Sequence, residues 1–181
     1  MFGFPVKWKR NRRDRLSRLA EAIEAIGEQD RKLIEESARV DHLRSRGAVD
    51  LHSICRAFVD KVNARLSEAA VLLDPPAIRE ENFNDSGSNL FQINLRGRLL
   101  QLEFAATAEL FETDDFRRPY ILRGSIRRFN QELLDSNTVD EQLLFCCPSG
   151  DTAPWYFFDP RTYRTGRVSE DYLVGELERL L

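Results

Sequence analysis

Residues 12–46 read RRDRLSRLAEAIEAIGEQDRKLIEESARVDHLRSR, a stretch without proline in which apolar residues recur every three or four positions. That spacing places the apolar side chains on one face of an α-helix and is typical of a coiled-coil seam. Asp30 and Ser37 are the polar positions on the same seam. Its apolar members are Leu16, Leu19, Ile23, Ile26, Leu33 and Val40. We therefore predict a helical arm that binds a protein partner, or a second copy of the chain, through these six residues.

Gly47 is predicted to end this helix, because glycine is frequent at helix C-termini and Arg44 and Arg46 are favourably placed beside one. The domain prediction follows: residues 1–47 form a basic N-terminus and long helix, and residues 48–181 form a globular α+β domain. A helix of about 34 residues spans roughly 50 Å, whereas a body of about 120 residues is about 35 Å across. The arm is therefore expected to overhang the body, to break near Gly27, or to pack along another chain.

A second helix is predicted from about Val49 to Leu66, on an apolar stripe that should cover one face of a sheet. The stripe consists of Leu51, Ile54, Phe58, Val62 and Leu66. Near the end of the chain, Ser169 is predicted to cap a final helix. The buried face of that helix is predicted to be Leu173, Val174, Leu177 and Leu180.

Between these helices, apolar runs in residues 91–104, 120–126, 143–147 and 155–158 predict a mostly antiparallel sheet of about five strands. A short strand is also indicated at residues 71–73. The first of these runs is a hairpin, with a turn of either four residues (Arg96 to Leu99) or two (Gly97-Arg98). Both turns give the same expected pairs: Leu95 with Leu100, Ile93 with Leu102, and Phe91 with Phe104. The predicted fold class is α+β, a long helical arm followed by a two-layer sandwich with the helices on one face.

Two basic features are candidate binding sites. Lys7, Trp8, Lys9 and Arg10 combine cations with an aromatic ring, as in segments that contact membrane surfaces or nucleic acid. Residues 1–18 carry a net charge of +6, although the whole chain is at −3, which argues against a general attraction to nucleic acid.

The second basic feature is Arg117, Arg123 and Arg127, a candidate anion-binding group on the third major strand. Arg123 and Arg127 are predicted to share a sheet face opposite Tyr120, Leu122 and Ile126. The alternative is an ordinary solvated face, on which Glu103 and Gln101 pair with the arginines.

The sequence contains no motif of a known chemistry, and we expect no catalytic residue, cofactor or metal. Its cysteines, Cys55, Cys146 and Cys147, are odd in number and read as buried thiols of a reducing compartment. With no signal peptide or membrane span indicated, a cytoplasmic location is expected. The functional prediction is a non-enzymatic interaction or adaptor protein that uses the arm and a sheet face. The alternative is a small-molecule or polyanion-binding module built on the arginine-rich face.

Overall fold

The computed structural model describes the backbone of residues 7–111, 116–129 and 140–181, and the side chains of residues 14–108, 116–129 and 140–181. Within those ranges the fold is α+β: one long helix, α1 (Lys7–Asn63), a seven-stranded antiparallel sheet, and a short helix, α2 (Glu170–Glu178). The chain divides into two units, residues 1–40 and residues 41–181.

The sheet is a simple meander in which each strand pairs with the next one along the chain. A short 3₁₀ turn at Glu80–Asn82 separates the first two strands. The strands are β1 (Val71–Asp74), β2 (Ser88–Leu95), β3 (Arg98–Phe111), β4 (Tyr120–Phe129), β5 (Asp140–Cys146), β6 (Trp155–Asp159) and β7 (Arg164–Arg167). The predicted count of about five was therefore too low. β7 reads Arg-Thr-Gly-Arg and has no apolar pattern from which a strand could be predicted.

Helix α1 does not end at Gly47, and the predicted second helix is its continuation to Asn63. The physical reason lies in the sheet. A Cβ atom added at Gly47 would stand 2.7 Å from the Sγ atom of Cys146. The Gly47 carbonyl also accepts a hydrogen bond of 2.7 Å from the indole N–H of Trp155. The glycine therefore lets the helix approach the sheet closely instead of terminating it.

Residues 41–63 of α1 bury one face against the sheet. His52 packs edge-on against Phe91 of β2, and the side-chain amide of Asn63 contacts the backbone of Val71 at the start of β1. The buried apolar side chains of this part of α1 are Leu43, Ala48, Leu51, Cys55, Phe58 and Val59, and His52 is buried beside them. Leu66, which was predicted to extend the apolar stripe, lies beyond the helix end and is exposed.

The β2–β3 hairpin keeps the predicted faces but not the predicted register. Ile93 pairs with Leu100 and Phe91 with Leu102, two residues away from the expected partners. The turn consists of Arg96 and Gly97, which both have positive φ. Two consecutive positive φ values match the twist of a two-residue hairpin turn. The arginine in this unusual conformation could not be anticipated from its residue type.

Helix α2 is capped as predicted, because the Ser169 hydroxyl accepts a hydrogen bond from the Tyr172 backbone N–H. Leu173, Leu177 and Leu180 are buried, whereas Val174 is exposed, contrary to prediction. The helix lies against the side of the sheet that α1 contacts: the Tyr172 ring stacks on Phe157, 4.3 Å between centroids. Gly47 contacts Trp155, two residues earlier on β6 and therefore on the same face.

We predict that Gly47→Ala destabilises the protein although alanine is the better helix former. The added methyl group must displace the buried Cys146 side chain, and overpacking of this kind costs about 1–3 kcal/mol. Gly27→Ala is the matched control, because a Cβ there meets no atom within 4 Å. It should raise helicity without lowering the urea midpoint, in line with the gain of up to about 1 kcal/mol for glycine to alanine in a helix. Equal midpoints for the two variants would contradict the packing role of Gly47.

Candidate interaction surfaces

The apolar stripe predicted on the helix, Leu16, Leu19, Ile23, Ile26, Leu33 and Val40, lies in the first of the two units. Its first five members have between 56% and 69% of their surface exposed, and Val40 is half-buried. Every described side chain from Asp14 to Arg39 is exposed. Contiguous exposed apolar residues on a folded protein mark interaction surfaces more often than they mark ordinary surface.

The basic N-terminal candidates cannot be placed in the same way. Lys7, Trp8, Lys9 and Arg10 belong to α1, but their side chains lie outside the described residues. Their assignment to a membrane or nucleic-acid contact stays a prediction.

On the arginine-rich strand β4, Arg127 lies between two acidic side chains of the neighbouring strands. The guanidinium group of Arg127 donates to Glu141 on β5 at 2.9 Å and to Glu103 on β3 at 3.2 Å. The Ser88 hydroxyl donates to the same Glu103 carboxylate at 2.8 Å. We call Glu103, Arg127 and Glu141 the ionic ladder, since its members lie side by side on three adjacent strands. An incoming anion would have to bind the charge of Arg127, and that charge is already paired with Glu103 and Glu141.

The electrostatics of the ladder agree with this geometry. Burial would raise the pKa of Glu141, but hydrogen bonds from Ser125 and Arg127 and the charges of Arg127 and Arg123 hold it below its ordinary value. The ionised form of Glu141 is therefore the one that the folded protein stabilises.

The other two predicted anion-binding arginines have no described hydrogen bond or ion pair with the ladder, although the charge of Arg123 acts on Glu141. Arg123 is exposed on the same face of β4 and, with Arg127 and Ser125, lines an open cleft of about 500 Å³. Arg117 lies in the segment before β4, is exposed, and does not line this cleft. The structure thus brings Arg123 and Arg127 onto one surface, as the strand alternation indicated, but leaves Arg117 apart.

A second charged cluster, which the sequence analysis missed, is buried beneath α2. Arg128 and Glu176 are each only 3% exposed, and their side chains form a direct ion pair. Asp140 also pairs with Arg128, and Arg179 donates to Glu176 at 3.0 Å. The Gln142 amide donates to Glu176 at 3.3 Å. We call Arg128, Asp140, Gln142, Glu176 and Arg179 the buried network, because they meet at the buried Arg128–Glu176 pair, although Arg179 itself is exposed.

The buried network holds α2 against the sheet. Burial lowers the pKa of Arg128, and the neighbouring Glu176 opposes that effect. Burial likewise raises the pKa of Glu176, against the opposing charges of Arg128 and Arg179. Each charge is costly to bury alone and is retained because its partners are present. A signal for this cluster was present in the sequence. Arg128 shares a strand face with the apolar residues Leu122 and Ile126, which indicates a buried arginine.

Among the described residues, the cysteine and histidine side chains are not arranged as a reactive site. Cys55, Cys146 and Cys147 are free and buried, and burial raises the pKa of the Cys55 thiol to about 12. At neutral pH Cys55 is therefore a thiol and not a nucleophilic thiolate. His52 donates through Nε2 to the Pro75 carbonyl at 2.8 Å, which gives the ring a structural partner.

Comparisons of the chain with protein-family models, with curated proteins and with solved structures found no match. Within the described residues, none of the helices is both long and apolar enough to cross a bilayer. The same residues contain no group of three or more histidine, cysteine or acidic side chains that could hold a metal ion.

We predict that Arg128→Met lowers the free energy of unfolding by about 3–5 kcal/mol, because it leaves the buried Glu176 carboxylate without its main partner. The control is Arg161→Met, which removes an exposed arginine that contacts Asp140 at 2.6 Å. Because the Arg161 side chain is itself solvated, its pair with the half-buried Asp140 should contribute below about 1 kcal/mol. Urea unfolding followed by tryptophan fluorescence measures both variants. If they lose similar amounts of stability, the buried network does not anchor α2.

We also predict that the ionic ladder makes stability depend on pH. The pKa of Glu141 is lower when folded than when unfolded. Its contribution is therefore present above the unfolded value and is lost as pH falls through the folded value. The free energy of unfolding should fall more steeply below about pH 5 in the wild type than in Arg127→Met. Parallel pH curves for the two proteins would show that Arg127 does not hold the Glu141 pKa down.

Proposed function

We propose that this is a non-enzymatic interaction protein of the cytoplasm whose helical segment 14–40 binds a protein partner through the apolar stripe. The observation that carries the proposal is the exposure of the stripe: five large aliphatic side chains on one helix face have more than half of their surface exposed. Burying such a side chain contributes about 1.5–3 kcal/mol. A partner that covers the stripe would therefore gain a large part of its binding free energy from it.

The proposal that the protein is not an enzyme is supported by the burial and pairing of the described thiols and of one carboxylate. The described thiols are buried, and the pKa values of Cys55, Cys146 and Cys147 are raised by burial. The buried carboxylate Glu176 is committed to its arginine partners. Three buried free thiols also suit a reducing compartment, which supports the cytoplasmic assignment.

The alternative function, anion binding by the arginine-rich sheet face, has one favourable observation: Arg123 is exposed at the edge of a cleft. The carboxylates of Glu103 and Glu141 line the same cleft and already occupy Arg127. The two carboxylates balance the charges of Arg123 and Arg127, so an anion entering there would meet no net positive charge. We therefore rank this function second.

The proposal predicts that Ile23→Asp with Ile26→Asp abolishes association while leaving residues 41–181 folded. The control is Ser17→Asp with Ala25→Asp, which adds the same charge at exposed positions off the stripe. Two differently tagged full-length copies are expressed together, and recovery of the second copy and of other proteins is quantified. The stripe variant should reduce recovery at least about tenfold, since losing one buried isoleucine already exceeds 1.4 kcal/mol.

The control should stay within about twofold of the wild type, because off-stripe surface changes are usually worth less than 0.5 kcal/mol. Identical recovery by the wild type and the stripe variant, for the second copy and for every other protein, would refute the proposed function.

A further inference from the structure

The two edges of the sheet differ in whether their outward-facing backbone groups are occupied. On the β1 edge, the side-chain amide of Asn63 accepts a hydrogen bond from the Val71 N–H at 3.0 Å and donates one to the Val71 carbonyl at 2.8 Å. Pro75, which has no N–H to offer, follows the strand directly. The amide thus occupies the backbone groups of Val71 as a neighbouring strand would, and it closes the edge at that point.

The β7 edge has no such closure. The Val168 N–H donates to the Trp155 carbonyl at 2.9 Å, which shows that Val168 faces β6. Backbone groups alternate in direction along an antiparallel strand, so the residues two and four positions earlier also face β6. The N–H and carbonyl groups of Thr165 and Arg167 therefore face outward, and no hydrogen bond from a described residue reaches them.

The side chains along this edge are basic and alternate between the two faces of the sheet. Arg164 and Arg167 are exposed, and neither forms an ion pair with a described residue. The carboxylate directly across from Arg164 is that of Asp159. It accepts from the backbone N–H of Arg161 at 2.9 Å and lies 3.7 Å from the Nε atom of the same residue. The nearest carboxylate on β6 is thus engaged elsewhere.

A third arginine adds to the positive charge on one face of the edge. Tyr156 lies directly across from Arg167, and the guanidinium group of Arg118 stands 4.5 Å from the centre of its ring. The guanidinium group of Arg167 is 6.0 Å from the same ring. Two cations share one aromatic face, and within the described residues no carboxylate pairs with either of them. The charge of this edge is complementary to an anionic partner.

We propose that β7 binds an acidic peptide in extended conformation, which adds to the sheet beside it. The peptide backbone pairs with the outward-facing groups of Thr165 and Arg167, as in other cases of strand addition to a free sheet edge. Residues three apart on a strand point to opposite faces. Two carboxylates with that spacing therefore lie beside Arg164 on one face and Arg167 on the other. This binding goes beyond the apolar stripe and gives the chain a second, independent partner.

A second copy of β7 is a poor occupant of the same edge. Two β7 strands side by side would bring four arginines, two from each copy, onto adjacent strands. Like charges on neighbouring strands are destabilising, and charged side chains commonly protect an exposed edge from such pairing. The charge that disfavours another copy favours a strand of opposite sign.

The inference is tested with the full-length chain and a defined peptide. The probe is acetyl-Thr-Val-Glu-Val-Thr-Glu-Val-Thr-amide, whose two glutamates have the required spacing. Titrated into the ¹⁵N-labelled protein, it should shift the backbone amide resonances of Thr165 and Arg167. Hydrogen exchange of these two amides should slow at least about tenfold, because exchange then requires the added strand to open.

One pair of variants tests the backbone pairing. Thr165→Pro removes an N–H that faces away from β6, a position at which an edge strand accepts proline. It should weaken peptide binding at least about tenfold, since a hydrogen bond is lost and the proline ring obstructs the incoming strand. The control is Thr165→Val, which also removes the hydroxyl group but keeps the N–H. It should bind within about twofold of the wild type.

A second pair of variants tests the charge and does not depend on how the proline is accommodated. Arg164→Gln with Arg167→Gln should weaken binding at least about fivefold, because two cross-strand charge pairs are lost. Arg96→Gln with Arg98→Gln removes the same charge from the β2–β3 turn, where both arginines are exposed. This control should bind within about twofold of the wild type.

Each outcome supports or overturns the inference. Slowed exchange at Thr165 and Arg167, lost in the variants of β7 and kept in both controls, supports it. No shift at millimolar peptide overturns it. Shifts without slowed exchange, or equal shifts with inorganic phosphate or a single-stranded oligonucleotide, also overturn it, because they indicate a general anion site. Ile23→Asp with Ile26→Asp should bind the peptide normally, so failure here and failure of the proposed function are observed separately.

Discussion

The close approach of α1 to the sheet at Gly47 is the constraint on which the structure of residues 41–181 depends. The absence of a side chain lets Cys146 of β5 and Trp155 of β6 reach the helix backbone. The indole N–H then donates to the Gly47 carbonyl and fixes the helix relative to β6. Leu51 and Phe58 follow on the same helix and are buried. One small residue thus sets the distance at which a whole apolar face packs.

The sequence predicted apolar faces well because alternation and helical spacing report burial directly. The buried face of α1 at Leu51 and Phe58 and the apolar faces of the β2–β3 hairpin were visible in this way, whereas the cap at Ser169 was predicted from its residue type. The errors arose where one residue type serves two purposes. Glycine ends helices but also allows close packing, so Gly47 was misread. The hairpin register depended on a positive φ at Arg96, and arginine carries no signal for that conformation.

The same distinction applies to the candidate surfaces: features set by local spacing could be predicted, and contacts between distant segments could not. Periodicity located the exposed stripe and the shared face of Arg123 and Arg127, because both follow from local geometry. The pairing of Arg128 with Glu176 joins residues 48 positions apart, and no local pattern specifies which distant carboxylate meets a buried arginine. The partner that we propose for the exposed helix face would likewise be a second molecule, which the spacing within one segment does not specify. Such information lies in contacts between distant segments and not in the spacing within one of them.

The meander order of the sheet has a consequence for how the chain acquires its structure during synthesis. Since every strand pairs with its immediate predecessor, each new strand can add to an existing edge as soon as it leaves the ribosome, with only short loops to close. The helix face that contains Leu51 and Phe58 is made before the sheet and stays uncovered until the strands follow. Early translation is therefore the interval in which this face is most exposed to unintended contacts and to chaperones.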